Sequence, residues 1–176
     1  GPLRKVLGVW VEEMDVLCDG DRNTVLPTPA GKKIGLADGY KAEVFCDLLH
    51  AESAEVLATY GEDFYAGRPA LTVNKFGKGR AYYVGSRNEE AMLAALYGHL
   101  VQELGIERVM KAELPEGVTA QLRTDGCRRF VFLMNFKPAG QRIDLCGERF
   151  ADVLTGESVE GVVELVAFGS MVLEKR

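Results

Sequence analysis

The chain has 176 residues, of which 47% are hydrophobic, and a chain of this kind forms one large or two small domains with buried cores. Its 26 acidic and 21 basic residues give a formal charge of -5, and the basic residues form no block that would attract a phosphate backbone. No run approaches the roughly 20 apolar residues that span a bilayer, and the N-terminus lacks the order of a signal peptide. We therefore expect a cytoplasmic protein with neither nucleic acid nor a membrane among its partners.

The first part of the chain is predicted to be rich in strands. Residues Pro2 to Leu17 have no clear class, whereas Cys18 to Gly39 is rich in Gly, Pro, Asp, Asn and Thr and is predicted to be a long surface loop. Four β-rich runs follow, and the last two form a hairpin because Gly77-Lys78-Gly79 tolerates positive φ at a turn. These runs are Tyr40 to His50, Glu55 to Tyr60, Leu71 to Phe76 and Arg80 to Ser86.

One amphipathic helix is predicted after this hairpin. Ser86-Arg87-Asn88-Glu89 has the pattern of a capping box, and Gly105 is a natural C-terminal stop. Between them, apolar residues recur at three- and four-residue steps, and we expect this stripe to be buried against the hairpin. The stripe consists of Met92, Leu93, Leu96, Leu100 and Leu104.

The rest of the chain is predicted to be all-β, with a domain boundary at Val109 to Glu116. Val118 to Arg123 and Arg128 to Phe136 flank an Asp125-Gly126 step, which is a strong hairpin signal. Shorter runs separated by glycine-bearing turns follow, and strands at this spacing favour a small sandwich or barrel. They are Gln141 to Leu145, Arg149 to Leu154, Val162 to Val166 and Ser170 to Glu174.

The four cysteines lie far apart and form none of the C-x-x-C pairs of zinc or redox sites. We expect free, mostly buried thiols and no metal site. A disulfide between Cys127 and Cys146 is geometrically possible in a β domain but would require an oxidising compartment. The other two are Cys18 and Cys46.

Cys46, His50 and Glu52 are the parts of a nucleophilic triad. On one strand, however, residues 46 and 50 lie ~13 Å apart at ~3.3 Å per residue, beyond hydrogen-bond reach. The stretch around Cys46 also lacks the glycines of a nucleophile elbow. We therefore interpret Cys46 as structural.

Other residues with catalytic or binding chemistry have a simpler structural explanation. His99 lies beside the helix stripe, Glu12-Glu13 diverge within a regular element, and Glu89-Glu90 suit the first turn of a helix. Gly77-Lys78-Gly79 lies between strands and offers no helix N-terminus to a phosphate. Six aromatic residues leave open a sugar-binding platform, although core or interface is the more common role. They are Trp10, Tyr60, Phe64, Tyr65, Tyr82 and Tyr83.

Two stretches have a more specific pattern: residues 1–13, with Gly8-Val9-Trp10-Val11-Glu12-Glu13, and residues 54–84, with Phe64-Tyr65-Ala66-Gly67-Arg68-Pro69 and Phe76-Gly77-Lys78-Gly79-Arg80. Both resemble the non-catalytic regions of the β-galactosidases of glycoside hydrolase family forty-two. Phe130 to Phe136 and Asp152 to Gly156 extend the resemblance more weakly.

This resemblance implies an α+β chain. Residues 1–108 would be a partial trimerisation domain with a glutaminase-like (flavodoxin-like or Rossmann-like) α/β fold, whose opening strands precede Gly1, and residues 112–176 a C-terminal β-sandwich. The partners implied are an upstream TIM-barrel catalytic domain and the other subunits of a homotrimer.

The function implied is assembly and stabilisation of a β-galactosidase that hydrolyses terminal non-reducing β-D-galactosides with retention. Retaining glycosidases need two carboxyl groups ~5 Å apart at the strand ends of a barrel of ~250 residues, which this chain is too short to hold. We therefore expect no catalytic, cofactor-binding or metal-binding residue and no cofactor. A carbohydrate-binding module and an amidotransferase-like enzyme are the alternatives.

Overall fold

The computed structural model describes residues 1–175, which form two compact units. The first unit comprises Gly1–Ile106, and the second begins at Glu107. Strands account for 46% of the chain and helices for 13%, so the structure is mostly β.

The first unit is built on one seven-stranded sheet. Its strands follow the order β1-β3-β2-β4-β5-β6, and β7 pairs with β3 off this path. Its elements are α1 (Arg4–Leu7), β1 (Val9–Val16), β2 (Asn23–Pro27), α2 (Pro29–Lys33), β3 (Tyr40–Ala51), β4 (Glu55–Tyr60), β5 (Pro69–Phe76), β6 (Gly79–Val84), β7 (Ser86–Asn88) and α3 (Glu90–Glu103).

The strand directions differ from the predicted glutaminase-like fold. A flavodoxin-like or Rossmann-like sheet is mainly parallel, with helices on both faces. Within residues 1–106, every recorded strand pair is antiparallel. The unit is therefore a mostly antiparallel β structure with three helices, and the α/β arrangement is not seen in the residues described.

The predicted loop at Cys18 to Gly39 is wrong, because it contains β2 and α2. Val25 of β2 is fully buried and pairs with both β3 and β4. The Thr28 hydroxyl caps α2 by accepting a hydrogen bond from the Gly31 backbone N–H at 3.2 Å, and Pro29 occupies the first turn. The two prolines that suggested a loop therefore lie at element boundaries: Pro27 ends β2 and Pro29 begins α2.

Gly31 lies where α2 meets β4. A Cβ atom at this position would come within 2.1 Å of the Leu57 carbonyl oxygen. Only glycine allows so close an approach of two backbones.

The predicted helix is confirmed as α3, but its capping box and part of its stripe are wrong. Ser86 belongs to β7, and the Glu89 carboxylate instead accepts a hydrogen bond from the Lys41 backbone N–H at 3.0 Å. Met92 and Leu96 are buried in a core that includes Leu71 and Tyr60. Leu104, at the end of the stripe, is 69% exposed because the helix ends there.

The second unit has two antiparallel sheets whose side chains share one core. The larger sheet has the order β12-β11-β14-β9-β8, and β10 pairs with β13 in the smaller one. Ile143 and Leu165 of the small sheet pack in the same cluster as Leu133 and Leu173 of the large sheet, as in a small sandwich. The strands are β8 (Val118–Thr124), β9 (Arg129–Asn135), β10 (Gln141–Asp144), β11 (Phe150–Asp152), β12 (Ser158–Val159), β13 (Val162–Leu165) and β14 (Ser170–Lys175).

The turn of the β8–β9 hairpin is held by Asp125, as the Asp-Gly step predicted. Its carboxylate accepts hydrogen bonds from the backbone N–H of Cys127 at 3.0 Å and of Arg128 at 2.7 Å. These bonds stabilise the ionised carboxylate and lower the pKa of Asp125 to about 2.

All four cysteines are free, but only Cys46 is buried. The prediction of mostly buried thiols is therefore wrong for Cys18, Cys127 and Cys146, which are exposed. Cys146 lies in a turn, Cys127 in a bend and Cys18 just before a turn, so the sheets do not cover them.

Val44 is strained where β3 departs from regular pairing with β7. Its φ of 71° lies in the left-handed region, an outlier for a β-branched residue, and its side chain is 48% exposed. We expect the Val44→Gly variant to have a free energy of unfolding about 1 kcal/mol higher than the Val11→Gly variant. The reason is that glycine relieves backbone strain only at residue 44. Urea denaturation of both variants measures this difference, and equal losses of stability would contradict the strain.

Candidate functional site

Strand β1 lies at the edge of the large sheet and has β3 as its only recorded neighbour. A bulge at Glu12 shifts the register, so that Val11 pairs with Leu49, Met14 with Asp47 and Val16 with Phe45. Because paired residues share a face, the three β1 side chains form one apolar row.

We call this row of Val11, Met14 and Val16 the β1 surface. The three side chains are 39%, 54% and 69% exposed. An exposed apolar row on an edge strand is a template for pairing or packing with another chain segment, and proteins generally cover such edges. The β1 surface is therefore suited to contact another part of an assembly.

Next to this surface, a charged cluster surrounds Trp10. The Trp10 and His50 rings stack with centroids 4.7 Å apart and planes at 26°, because the two residues are paired across β1 and β3. The Arg4 guanidinium lies 5.8 Å from the Trp10 ring centroid, within range of a cation–π contact. It also forms two hydrogen bonds with the Glu52 carboxylate, one of them at 2.8 Å.

Glu12 joins this cluster from the bulge. Its Oε2 lies 2.7 Å from Arg68 Nη1 and 2.6 Å from His50 Nε2. Hydrogen bonds from Arg68 and then His50 lower the pKa of the Glu12 carboxyl, and Arg4 lowers the pKa of Glu52. Both carboxylates are therefore ionised at neutral pH and cannot donate a proton as a general acid would.

The structure does not assemble Cys46, His50 and Glu52 into a triad. His50 contacts Glu12, and Glu52 contacts Arg4. Cys46 is fully buried in the core, and this burial raises the pKa of its thiol. A thiol that stays protonated is a poor nucleophile.

The remaining candidates from the sequence occupy separate structural positions. His99 Nε2 lies 3.3 Å from Glu103 Oε2, one turn along α3. Glu90 lies in the first turn of that helix. Gly77 has a φ of 57° in the β5–β6 turn. Glu13 pairs with Leu48 on β3. None of these residues approaches the Trp10 cluster in a recorded contact within residues 1–175.

The six aromatic residues do not form one platform. Tyr60 and Tyr65 are buried, and their hydroxyls donate hydrogen bonds to the Gly85 carbonyl at 2.7 Å and to Asp15 at 2.8 Å. Tyr83 donates to the Asp47 carboxylate at 2.8 Å. Phe64 is 74% exposed and packs edge-on against Tyr65. Burial of the two tyrosines removes them from a sugar-stacking surface.

The described part of the chain has neither a metal-binding cluster nor a membrane-spanning helix. Among residues 1–175, no group of three or more His, Cys, Asp or Glu side chains is placed to hold a metal ion. In the same range, no helix has the length and apolar character needed to cross a membrane.

Comparison with known proteins shows what the first unit is. Residues 1–107 match the family described as the β-galactosidase trimerisation domain. The chain belongs to this family. Residues 117–175 match a second family, the β-galactosidase C-terminal domain, and the resemblance seen in the sequence is thereby confirmed. The catalytic domain of these β-galactosidases is absent from this chain.

Individual members of the family align over the whole chain. A β-galactosidase of Clostridium perfringens is 43% identical over 176 residues, which are 100% of this chain and 25% of that protein. The crystal structure of a β-galactosidase from Bacillus circulans sp. alkalophilus superposes with a TM-score of 0.86 at 37% identity, covering 100% of this chain and 26% of that one. A β-galactosidase from Rahnella sp. R3 gives 0.82 at 43% identity, covering 99% and 25%. The chain thus spans about a quarter of these relatives.

Sequence reasoning missed both the β1 surface and the Trp10 cluster. The exposed face of β1 depends on the bulge at Glu12, which shifts the alternation by one residue. Glu12 lies 38 residues from His50 and 56 from Arg68 in sequence. Only the lone Trp10 beside two glutamates was a visible signal in this trimerisation domain.

Proposed function

We propose that this chain is the non-catalytic assembly and stabilising portion of a β-galactosidase. The full-length protein would hydrolyse terminal non-reducing β-D-galactosides with retention of configuration. The observation that carries the proposal is the match of residues 1–107 to the β-galactosidase trimerisation domain, in a chain aligned over its full length with much longer β-galactosidases.

In this proposal the chain has two domains. Residues 1–108 are a trimerisation domain of partly glutaminase-like character. Residues 112–176 are a C-terminal-type β-sandwich domain. The partners are a TIM-barrel catalytic domain of the same polypeptide and two further copies in a homotrimer, in the cytoplasm and without nucleic acid or membrane.

We propose that no residue of this chain has a catalytic, cofactor-binding or metal-binding role. The ionised carboxylates of Glu12 and Glu52 cannot act as the general acid, and the protonated thiol of Cys46 is a poor nucleophile, which supports this assignment.

The β1 surface supports the assembly role. It combines an unpaired strand edge with exposed Val11, Met14 and Val16. Burying such side chains contributes roughly 25 cal/mol for each Å² of apolar area, which favours association. We propose that a second copy of the chain covers this surface.

We therefore expect the isolated chain to self-associate at micromolar concentration through the β1 surface. Met14→Asp combined with Val16→Asp should shift the mass measured by light scattering towards that of the monomer, because two unpaired charges would have to be buried at the contact.

Leu154→Asp combined with Val166→Asp is the matched control, since it introduces the same charges at side chains 84% and 73% exposed in the second unit. This control should keep the associated mass. A monomeric wild-type chain with cooperative unfolding, or equal loss of mass in both double variants, would contradict the proposed contact.

A further inference from the structure

A cavity of about 530 Å³ lies in the first unit, beside the start of β4 and the β5–β6 hairpin. It is separate from the Trp10 cluster and shares no lining residue with it. Its polar lining combines three cations, one carboxylate and two neutral groups. These are Lys5, Lys75, Arg80, Glu55, Ser53 and Asn74. We call it the basic cavity.

One wall of the basic cavity is fixed by a buried amide. Asn74 is only 4% exposed, and its Nδ2 donates hydrogen bonds to the carbonyl oxygens of Val6 at 2.8 Å and of Lys5 at 3.2 Å. Its Oδ1 accepts a hydrogen bond from the Ser53 hydroxyl at 3.0 Å. The amide therefore holds the backbone of α1 against β5, which positions Lys5 at the cavity.

Lys75 and Arg80 line the cavity from the other face of the sheet than Asn74, because successive residues of β5 point to opposite faces. Lys75 of β5 and Arg80 of β6 are directly paired across the hairpin. Like charges directly opposite each other on antiparallel strands destabilise a sheet. Arg80 Nη1 contacts the Glu103 carboxylate, whereas Lys5 and Lys75 form no recorded ion pair within residues 1–175. The lining thus contains two lysines without a recorded ion-pair partner, in a chain whose net charge is -5.

We propose that the basic cavity binds a small dianionic oxyanion, namely inorganic phosphate or the phosphate group of a small phosphorylated metabolite. Lysine ammonium groups bind phosphate as point charges, and a guanidinium has five N–H donors, more than one carboxylate can accept. A bound dianion would reduce the repulsion between Lys75 and Arg80. It would also accept a hydrogen bond from the ammonium group of Lys5. The single carboxylate, Glu55, opposes binding and limits the affinity.

Isothermal titration of the 176-residue chain with inorganic phosphate tests this site, with sodium chloride at matched ionic strength as the blank. Glucose 6-phosphate and glucose are the second pair of ligands. Tighter binding of glucose 6-phosphate than of phosphate identifies a phosphorylated metabolite, and equal binding identifies the free ion. Both results support the site, whereas heats no larger than those of chloride overturn it.

Four variants distinguish the cavity from general surface charge. Lys5→Gln and Lys75→Gln should each raise the Kd for phosphate by about fivefold, and Glu55→Gln should lower it by a similar factor. Lys78→Gln is the matched control, because it removes a lysine from the same hairpin at a residue that does not line the cavity. Equal weakening by Lys78→Gln and Lys75→Gln would mean non-specific attraction and would overturn the proposal.

Thermal unfolding supplies a readout that a merely structural lysine would not give. Phosphate should raise the Tm of the wild-type chain. Lys75→Gln should raise the Tm without phosphate, since it removes the like-charge pair, and should reduce the further rise with phosphate. A Lys75→Gln variant that responds to phosphate as strongly as wild type would overturn the assignment.

Discussion

The isolated chain is expected to release no nitrophenol from a nitrophenyl β-galactoside above the background rate. Retaining hydrolysis needs a general acid and a nucleophilic carboxylate ~5 Å apart, and loss of both groups removes nearly all catalysis. In this chain Arg68 and His50 lower the pKa of Glu12, and Arg4 lowers the pKa of Glu52. A carboxyl with a lowered pKa is already ionised at a pH equal to its ordinary pKa and at every higher pH. Neither carboxyl is therefore a proton donor at neutral pH.

The matching measurement uses the full-length protein, which should hydrolyse the same substrate with retention. Glu12→Gln, Glu13→Gln and Glu52→Gln in the isolated chain serve as controls for a site overlooked among the surface carboxylates. Turnover by the isolated chain that disappears in one of these variants would refute the non-catalytic assignment. Inactivity of the full-length protein would refute the proposed activity without touching the assembly role.

Leu96→Asp is expected to lower the free energy of unfolding by about 4 kcal/mol, because it places an unpaired carboxylate in a closed core. Leu96 is 3% exposed and lies in the same cluster as Met92, Leu71 and Tyr60. The measurement is urea denaturation followed by circular dichroism.

Leu104→Asp is the matched control for this substitution. Leu104 follows the same helix and has the same side chain, but it is 69% exposed. Its replacement should change stability by no more than about 0.5 kcal/mol. If Leu96→Asp were as mild as Leu104→Asp, α3 would not pack on the sheet through this face.

These expectations separate stability from assembly. Leu96 acts within one copy of the chain, whereas Met14 and Val16 lie on an exposed edge whose change leaves the core intact. A variant at the edge should therefore lose association while retaining a normal unfolding transition. This separation allows the contribution of the β1 surface to be measured in folded protein.

The sequence by itself determined the elements whose signals are local. Glycines at the β5–β6 turn and the Asp125-Gly126 step specified two hairpins, and the apolar spacing around Leu96 specified α3. Such features depend on neighbours within a few residues, which turn chemistry and helix periodicity describe directly. The resemblance carried by residues 1–13 and 54–84 likewise depended on the sequence alone.

Only the tertiary structure decided which polar residues meet and which apolar residues stay exposed. Val25 belongs to a strand because β3 and β4 lie on either side of it, although its local composition favoured a loop. Glu12 meets His50 and Arg68 because β1 pairs with β3 and a bulge turns its side chain to them. Lys75 faces Arg80 across a hairpin, while Lys5 reaches the same cavity through the buried Asn74. These contacts join residues distant in sequence, and their geometry depends on strand order and register, which local patterns do not encode.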